Sequence, residues 1–89
     1  MIRKRFLFTG RVQHVGFRWR ARKAANMFHC TGWCRNNPDG SVIMELQGTR
    51  IQIDLVILAI RACKRIRIRN MITTLQEPIP EESDFTPVY

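Results

Sequence analysis

The apolar pattern of this 89-residue chain changes period four times. From Arg3 to Thr9 it alternates, with Phe6 and Phe8 on one face and Arg3 and Arg5 on the other, as in a half-buried strand. Phe17, Ala21, Ala24, Ala25 and Phe28 then recur at helical spacing, leaving Arg20, Arg22 and Lys23 outside the stripe. Gly32 reads as a break, and Trp33 to Asn36 as a short strand. Asn37-Pro38-Asp39-Gly40 is a turn signal: proline presets its own φ and glycine accepts a positive one. Ser41 to Gln47 completes a hairpin, with Val42, Met44 and Leu46 on one face. Gly48 closes that strand. Thr49 and Gln52 have the spacing of a capping box. Ile51, Leu55, Leu58, Ala59 and Ala62 predict the apolar stripe of a second helix that ends near Cys63 or Lys64. Ile66, Ile68 and Ile72 alternate with Arg65, Arg67, Arg69 and Met71 as a half-buried strand. Pro78 and Pro80 break an acidic loop. Phe85 to Tyr89 can add a last strand, which Pro87 confines to an edge.

The order β-α-β-β-α-β predicts an α+β, ferredoxin-like sandwich: an antiparallel sheet with two helices on one face and a short fifth strand. Residues 1–89 read as a single domain, with neither repeat nor linker. A hydrophobic share of 45% argues against disorder. This fold hosts many functions, so function has to be argued from a site.

The net charge of +8 is unevenly spread. No acidic residue precedes Asp39; Arg61, Lys64, Arg65, Arg67 and Arg69 form a basic run; Glu77, Glu81, Glu82 and Asp84 make the tail acidic. Such a surface favours anionic partners without choosing among them. No apolar run approaches the roughly 20 residues of a membrane span, and the basic start has no signal-peptide core. The expected location is cytoplasmic, with no membrane partner. Cys30, Cys34 and Cys63 cannot all pair within the chain, which fits free thiols in a reducing compartment. His29, Cys30 and Cys34 are close in sequence but lack the ligand number and spacing of structural zinc, so no metal is expected.

The segment Gly10 to Arg18, GRVQHVGFR, joins the first strand to the first helix. Glycines let successive N–H groups turn into one concavity, and the helix start adds further free N–H groups and positive dipole. Arg18, near the first turn, adds a planar fork of donors suited to phosphate oxygens. A phosphoryl group fits such a cradle. The Gly-Lys-Ser/Thr ending of a nucleotide P-loop is absent.

Two motifs together carry a resemblance. Gly10-Arg11-Val12-Gln13-His14-Val15-Gly16-Phe17-Arg18 resembles the acylphosphatase signature Gly-x-Val-Gln-Gly-Val-x-Phe-Arg. Gly32-Trp33-Cys34-Arg35-Asn36, followed by Asp39-Gly40-Ser41-Val42 and Gln47-Gly48, resembles the second signature of that family, at matching separation. The resemblance covers nearly the whole chain. It implies a hydrolase without metal or other cofactor that cleaves a carboxylic–phosphoric mixed anhydride. It implies that Arg18 and the amides of Gln13, His14, Val15, Gly16 and Phe17 hold the phosphate, and that Asn36 orients the attacking water. A free phosphate or sulfate ion would suit the same loop. Arg35, one residue away, should point to the opposite sheet face.

Two positions depart from the family. His14 stands where the loop normally has glycine; if that position needs positive φ, the cost is about 1–2 kcal/mol. The loop can absorb that strain, gain a phosphate contact from the imidazole, or be distorted. Phe28-His29-Cys30 stands where relatives often have Leu-Gly-Leu, which removes a left-handed helix cap. The partner expected is a small acyl phosphate as substrate, and the protein is expected to be a monomer. Nucleic acid is not expected as a principal partner, because the strands lack the paired aromatic motif of RNA recognition modules. The alternative is an acylphosphatase-like module without catalysis, or an RNA-binding ferredoxin-like module.

Overall fold

A computed structural model describes residues 1–89. Seven elements run in the order β1 (Ile2–Arg11), α1 (Phe17–Met27), β2 (Thr31–Asn36), β3 (Val42–Gly48), α2 (Arg50–Arg61), β4 (Arg67–Gln76) and β5 (Phe85–Val88). They form one five-stranded sheet in the order β4-β1-β3-β2-β5. β1 is antiparallel to β3 and β4, and β2 is antiparallel to β3. Both helices lie on one face, so the ferredoxin-like expectation holds.

The sheet is mixed rather than antiparallel, because β5 runs parallel to β2. The cause is the path of residues 77–84. They leave β4 beside Arg3 and enter β5 beside Gly32, at the end of the sheet where β2 also begins. The chain therefore re-enters in the direction of β2. Pro87 is tolerated there since β5 is an edge strand.

The face under the helices holds the core. Phe6, Phe8, Val42, Met44 and Leu46 are buried, and the Phe8 ring packs on Phe17 of α1 at 5.1 Å between centroids. Their alternation was legible. The expected stripe of α2 was not the buried one. Ile53, Val56, Ile57 and Ile60 enter the core, while Ile51 and Leu58 stay 72% and 64% exposed. The helix is apolar nearly all round, so spacing supports two stripes rotated against each other and cannot choose between them. Its capping box forms as expected: Gln52 N–H donates to Thr49 Oγ1 at 3.1 Å, and Thr49 N–H to Gln52 Oε1 at 2.8 Å. The helix stops at Arg61, slightly short of the expected end.

β4 also departs from simple alternation. A bulge between its pairings to Thr9 and Gly10 leaves Arg69 as an extra residue. The phase resets there, so Met71 packs toward the core and Ile72 is 59% exposed. Gly32 does not break the chain but lies within β2. Its φ of 145° is open to glycine, and a Cβ there would run into the Glu45 carbonyl of β3. At the end of α1, His29 itself takes the left-handed conformation (φ 58°), and Cys30 N–H donates to the Ala25 carbonyl at 2.8 Å. That closes the helix in Schellman fashion without a glycine.

The other sheet face holds a buried ion cluster that the sequence did not suggest. Arg3, 1% exposed, donates from Nε to Glu45 Oε1 at 2.6 Å and from Nη1 to Glu82 Oε1 at 2.7 Å. Arg5 Nε donates to the second Glu45 oxygen at 2.7 Å. Gln47 grips the backbone of Ile79 twice, donating to its carbonyl at 2.8 Å and accepting from its N–H at 2.7 Å. Residues 77–84 thus form a strap latched across this end of the sheet.

The three thiols are free and unequal. Burial pushes Cys30 up to about 11 and Cys34 up to about 12. Cys63 is shifted down, first by a hydrogen bond from the Arg65 N–H, then by the Ile66 N–H and nearby Arg20. Thiolate is the reactive form. In the native protein near neutral pH, iodoacetamide is expected to label Cys63 alone, with Cys30 and Cys34 labelled only in denaturant. Equal labelling of all three, read by mass spectrometry, would contradict this.

Candidate active site

The connection after β1 is shorter than expected, because Gly10 and Arg11 still belong to the strand. Gln13 to Gly16 then make a tight path into α1. His14 has φ 60°, so this position does take the conformation that a glycine would adopt freely. Gly16 has φ 78° and stands at the N-cap of α1.

This helix start differs from that of α2. No side chain caps it, and its first turn has no acidic residue. The first N–H groups of an α-helix have no partner within the helix and carry the positive end of its dipole. The residues of this helix start help line a cavity of about 160 Å³, together with Val12, His14, Asn36 and Tyr89: Gly16, Phe17, Arg18 and Trp19 are its helix-side wall. The arrangement is a ready anion site.

Arg18 supplies a full positive charge at the cavity. Its Nη1 donates to the Val88 carbonyl at 3.2 Å, and its guanidinium lies 4.1 Å from the centre of the Tyr89 ring. These contacts fix the side chain at the cavity and leave other donors of the fork free. The neighbours of Arg18 at the end of the chain are therefore a carbonyl and a ring. Asn36 ends β2 on the helix-facing side, opposite Val42, which places its amide in the same cavity. Arg35 points to the other face, as expected from alternation.

Of the residues singled out in the sequence, His14, Gly16, Phe17, Arg18 and Asn36 meet at this cavity. Gln13 and Val15 do not line it. Val15 is buried in the core. The Gln13 side chain turns the other way, its Nε2 donating to the Asn37 carbonyl at 2.7 Å and the Ser41 carbonyl at 2.8 Å. It ties the loop to the β2–β3 turn. That turn is itself held by Asn37 Nδ2 donating to Ser41 Oγ at 3.0 Å, and by Ser41 donating from N and Oγ to Asp39 at 2.9 and 2.6 Å. Sequence reasoning missed Val12 and Trp19 as lining residues. Only their adjacency to the loop and to Arg18 could have marked them.

A comparison with known proteins decides the family. The acylphosphatase family model matches residues 4–87. The chain belongs to the acylphosphatase family. Acylphosphatases of Pediococcus pentosaceus and Geobacillus thermodenitrificans are similar throughout. The first is 37% identical over 82 residues, 91% of each chain. The second is 34% identical over 90 residues, covering 100% of this chain and 96% of the other. The crystal structure of acylphosphatase from Bacillus subtilis superposes with a TM-score of 0.90 at 26% identity, covering 100% of both chains. This acylphosphatase-family hydrolase thus places an uncapped helix start, an arginine and an asparagine around one cavity.

Proposed function

We propose that this single-domain acylphosphatase hydrolyses small acyl phosphates in a reducing, cytoplasmic setting, with Arg18 and Asn36 as its catalytic residues. The observation that carries the reading is the shared cavity: the uncapped start of α1, Arg18 and Asn36 converge there. The phosphoryl group sits on the amides of His14, Gly16 and Phe17, and the Arg18 fork takes its equatorial oxygens. Asn36 orients a water opposite the leaving carboxylate.

The acyl–phosphate bond is activated, and its leaving carboxylate is a weak base, so no strong general acid is needed. In-line positioning and neutralisation of charge on the equatorial oxygens carry the acceleration. Asn36 is neutral and does not remove a proton; the water passes its proton to the phosphate. One water is consumed, the P–O bond to the acyl group breaks, and carboxylate and inorganic phosphate leave. Arg18 and the helix-start amides supply positive charge for the phosphoryl oxygens, so the reading needs no metal. The test is release of phosphate from benzoyl phosphate with a chelator present; no release above the uncatalysed rate overturns the reading.

The loop absorbs the His14 conformation and remains competent. His14→Gly is expected to change kcat/KM by less than about tenfold, or about 1.4 kcal/mol of transition-state binding. A much larger rise would show that the histidine distorts the cradle.

A further inference from the structure

The sheet face opposite the helices is latched by the strap at one end and left open at the other. On the open part, Arg11 of β1 stands directly across from Arg67 of β4. Like charges in that position repel. The bulge adds Arg69 on the same side, and a notch of about 400 Å³ lies among Gly10, Arg11, Arg67, Ile68 and Arg69. None of these cations has a counter-charge. Every ion pair of the fold involves Arg3 or Arg5, and no acidic residue stands between Asp54 and Glu77. Bulges often serve to re-aim a side chain; this one collects a third guanidinium beside two that already repel.

Farther across the same face, on β2, the Arg35 guanidinium lies 5.6 Å from the centre of the Trp33 ring. From β4 to β2 the sheet order gives three strand spacings, about 14 Å across, and the register sets Trp33 level with Arg5, six residues or about 20 Å along the strands from Arg11, so the two groups lie about 24 Å apart. A patch of phosphate-binding cations is thereby set a few nucleotides' length from a stacked aromatic–guanidinium pair. Protein and membrane partners would be served by the charge alone. The flat Trp33–Arg35 pair adds what an unpaired base uses.

We propose that this open face binds single-stranded nucleic acid without sequence preference, Arg11, Arg67 and Arg69 taking phosphates and the Trp33–Arg35 pair offering a stacking surface to a base. The face lies across the sheet from the cavity of Arg18 and Asn36, so the two activities are separable. The paired aromatics whose absence argued against nucleic acid in the sequence are replaced by one tryptophan and a bulge-built cation cluster.

The experiment is fluorescence anisotropy of a labelled oligothymidylate titrated with protein at several salt concentrations. Saturable, salt-sensitive binding is expected. The Arg67→Gln/Arg69→Gln variant should bind at least about tenfold more weakly at low salt, with a salt slope shallower by about 1.4, two contacts at about 0.7 each. Arg22→Gln/Lys23→Gln removes the same charge from the helix side and should stay within about twofold, since screening mutes distant charges. Trp33→Leu, checked for folding by circular dichroism, should weaken binding by about tenfold. Arg18→Gln should leave it unchanged. The proposal is overturned by absent saturation, by equal losses in the two charge variants, by dependence on Arg18, or by a neutral Trp33→Leu together with full displacement by tripolyphosphate.

Discussion

Arg18→Ala is expected to cut turnover of benzoyl phosphate by about 10²–10³-fold, the usual loss when one preorganised donor to a developing charge is removed. The helix-start amides remain, so residual catalysis over water should persist. Weaker inhibition by inorganic phosphate should accompany the loss, because Arg18 meets the phosphate before and after reaction. Asn36→Ala should lower kcat by a similar factor and leave phosphate inhibition nearly unchanged, since its partner is the water. Thermal melts must match the parent for either result to count. The site tolerates both changes structurally: Arg18 is anchored only through its contacts to Val88 and Tyr89, and Asn36 stands at the last position of β2. Near-normal hydrolysis by either folded variant would refute its role.

Glu45→Gln should have the largest effect on stability. The substitution keeps the shape but strips the charge that Arg3 and Arg5 share. Arg3 would keep Glu82, but the single amide oxygen could serve only one of the two arginines, and the other would face an NH2 donor in place of an acceptor. Breaking a buried pair in this way costs about 3–5 kcal/mol, against a total stability of about 5–15 kcal/mol for a domain. Burial alone would raise the Glu45 pKa; the hydrogen bonds and charges of Arg3 and Arg5 outweigh it and hold the carboxyl below its usual 4.5. A group depressed on folding gives stability that is present above its unfolded value and is lost as pH falls through its folded value. Urea unfolding of the parent should therefore weaken progressively below pH 4.5. Glu45→Gln should be weaker at neutral pH and should lose less on acidification. An unchanged urea midpoint would show that the cluster contributes nothing.

The lining of the candidate site was more legible in the sequence than the architecture was. GRVQHVGFR and the Gly32 to Asn36 stretch announce themselves because loop, helix start and strand end are local features. Asn36, Arg18 and the Phe6–Phe8 face followed from motif spacing and period two. The apolar stripe of α2 was misjudged because Ile51 and Leu58 satisfy helical spacing as well as Ile53 and Ile57 do; only the packed sheet distinguishes them. The bulge at Arg69 has no local signature, and it reverses the facing of Met71 and Ile72. Arg3 was legible as the polar side of a strand but not as buried, since its cover comes from Glu82, far along the chain. The direction of β5 likewise depends on a crossing that no window of residues records.

Gln13 adds a consequence for how this enzyme can fail. Its single amide group ties the loop before α1 to the turn just beyond Asn36, so the proposed phosphate-holding loop and water-holding strand end are linked by one side chain. On the proposed mechanism, affinity for phosphate belongs to the loop and Arg18, whereas productive geometry belongs to the gap between loop and strand. A loosened clasp would leave a protein that still captures its ligand yet holds it at the wrong distance from the water, a trap in place of a catalyst.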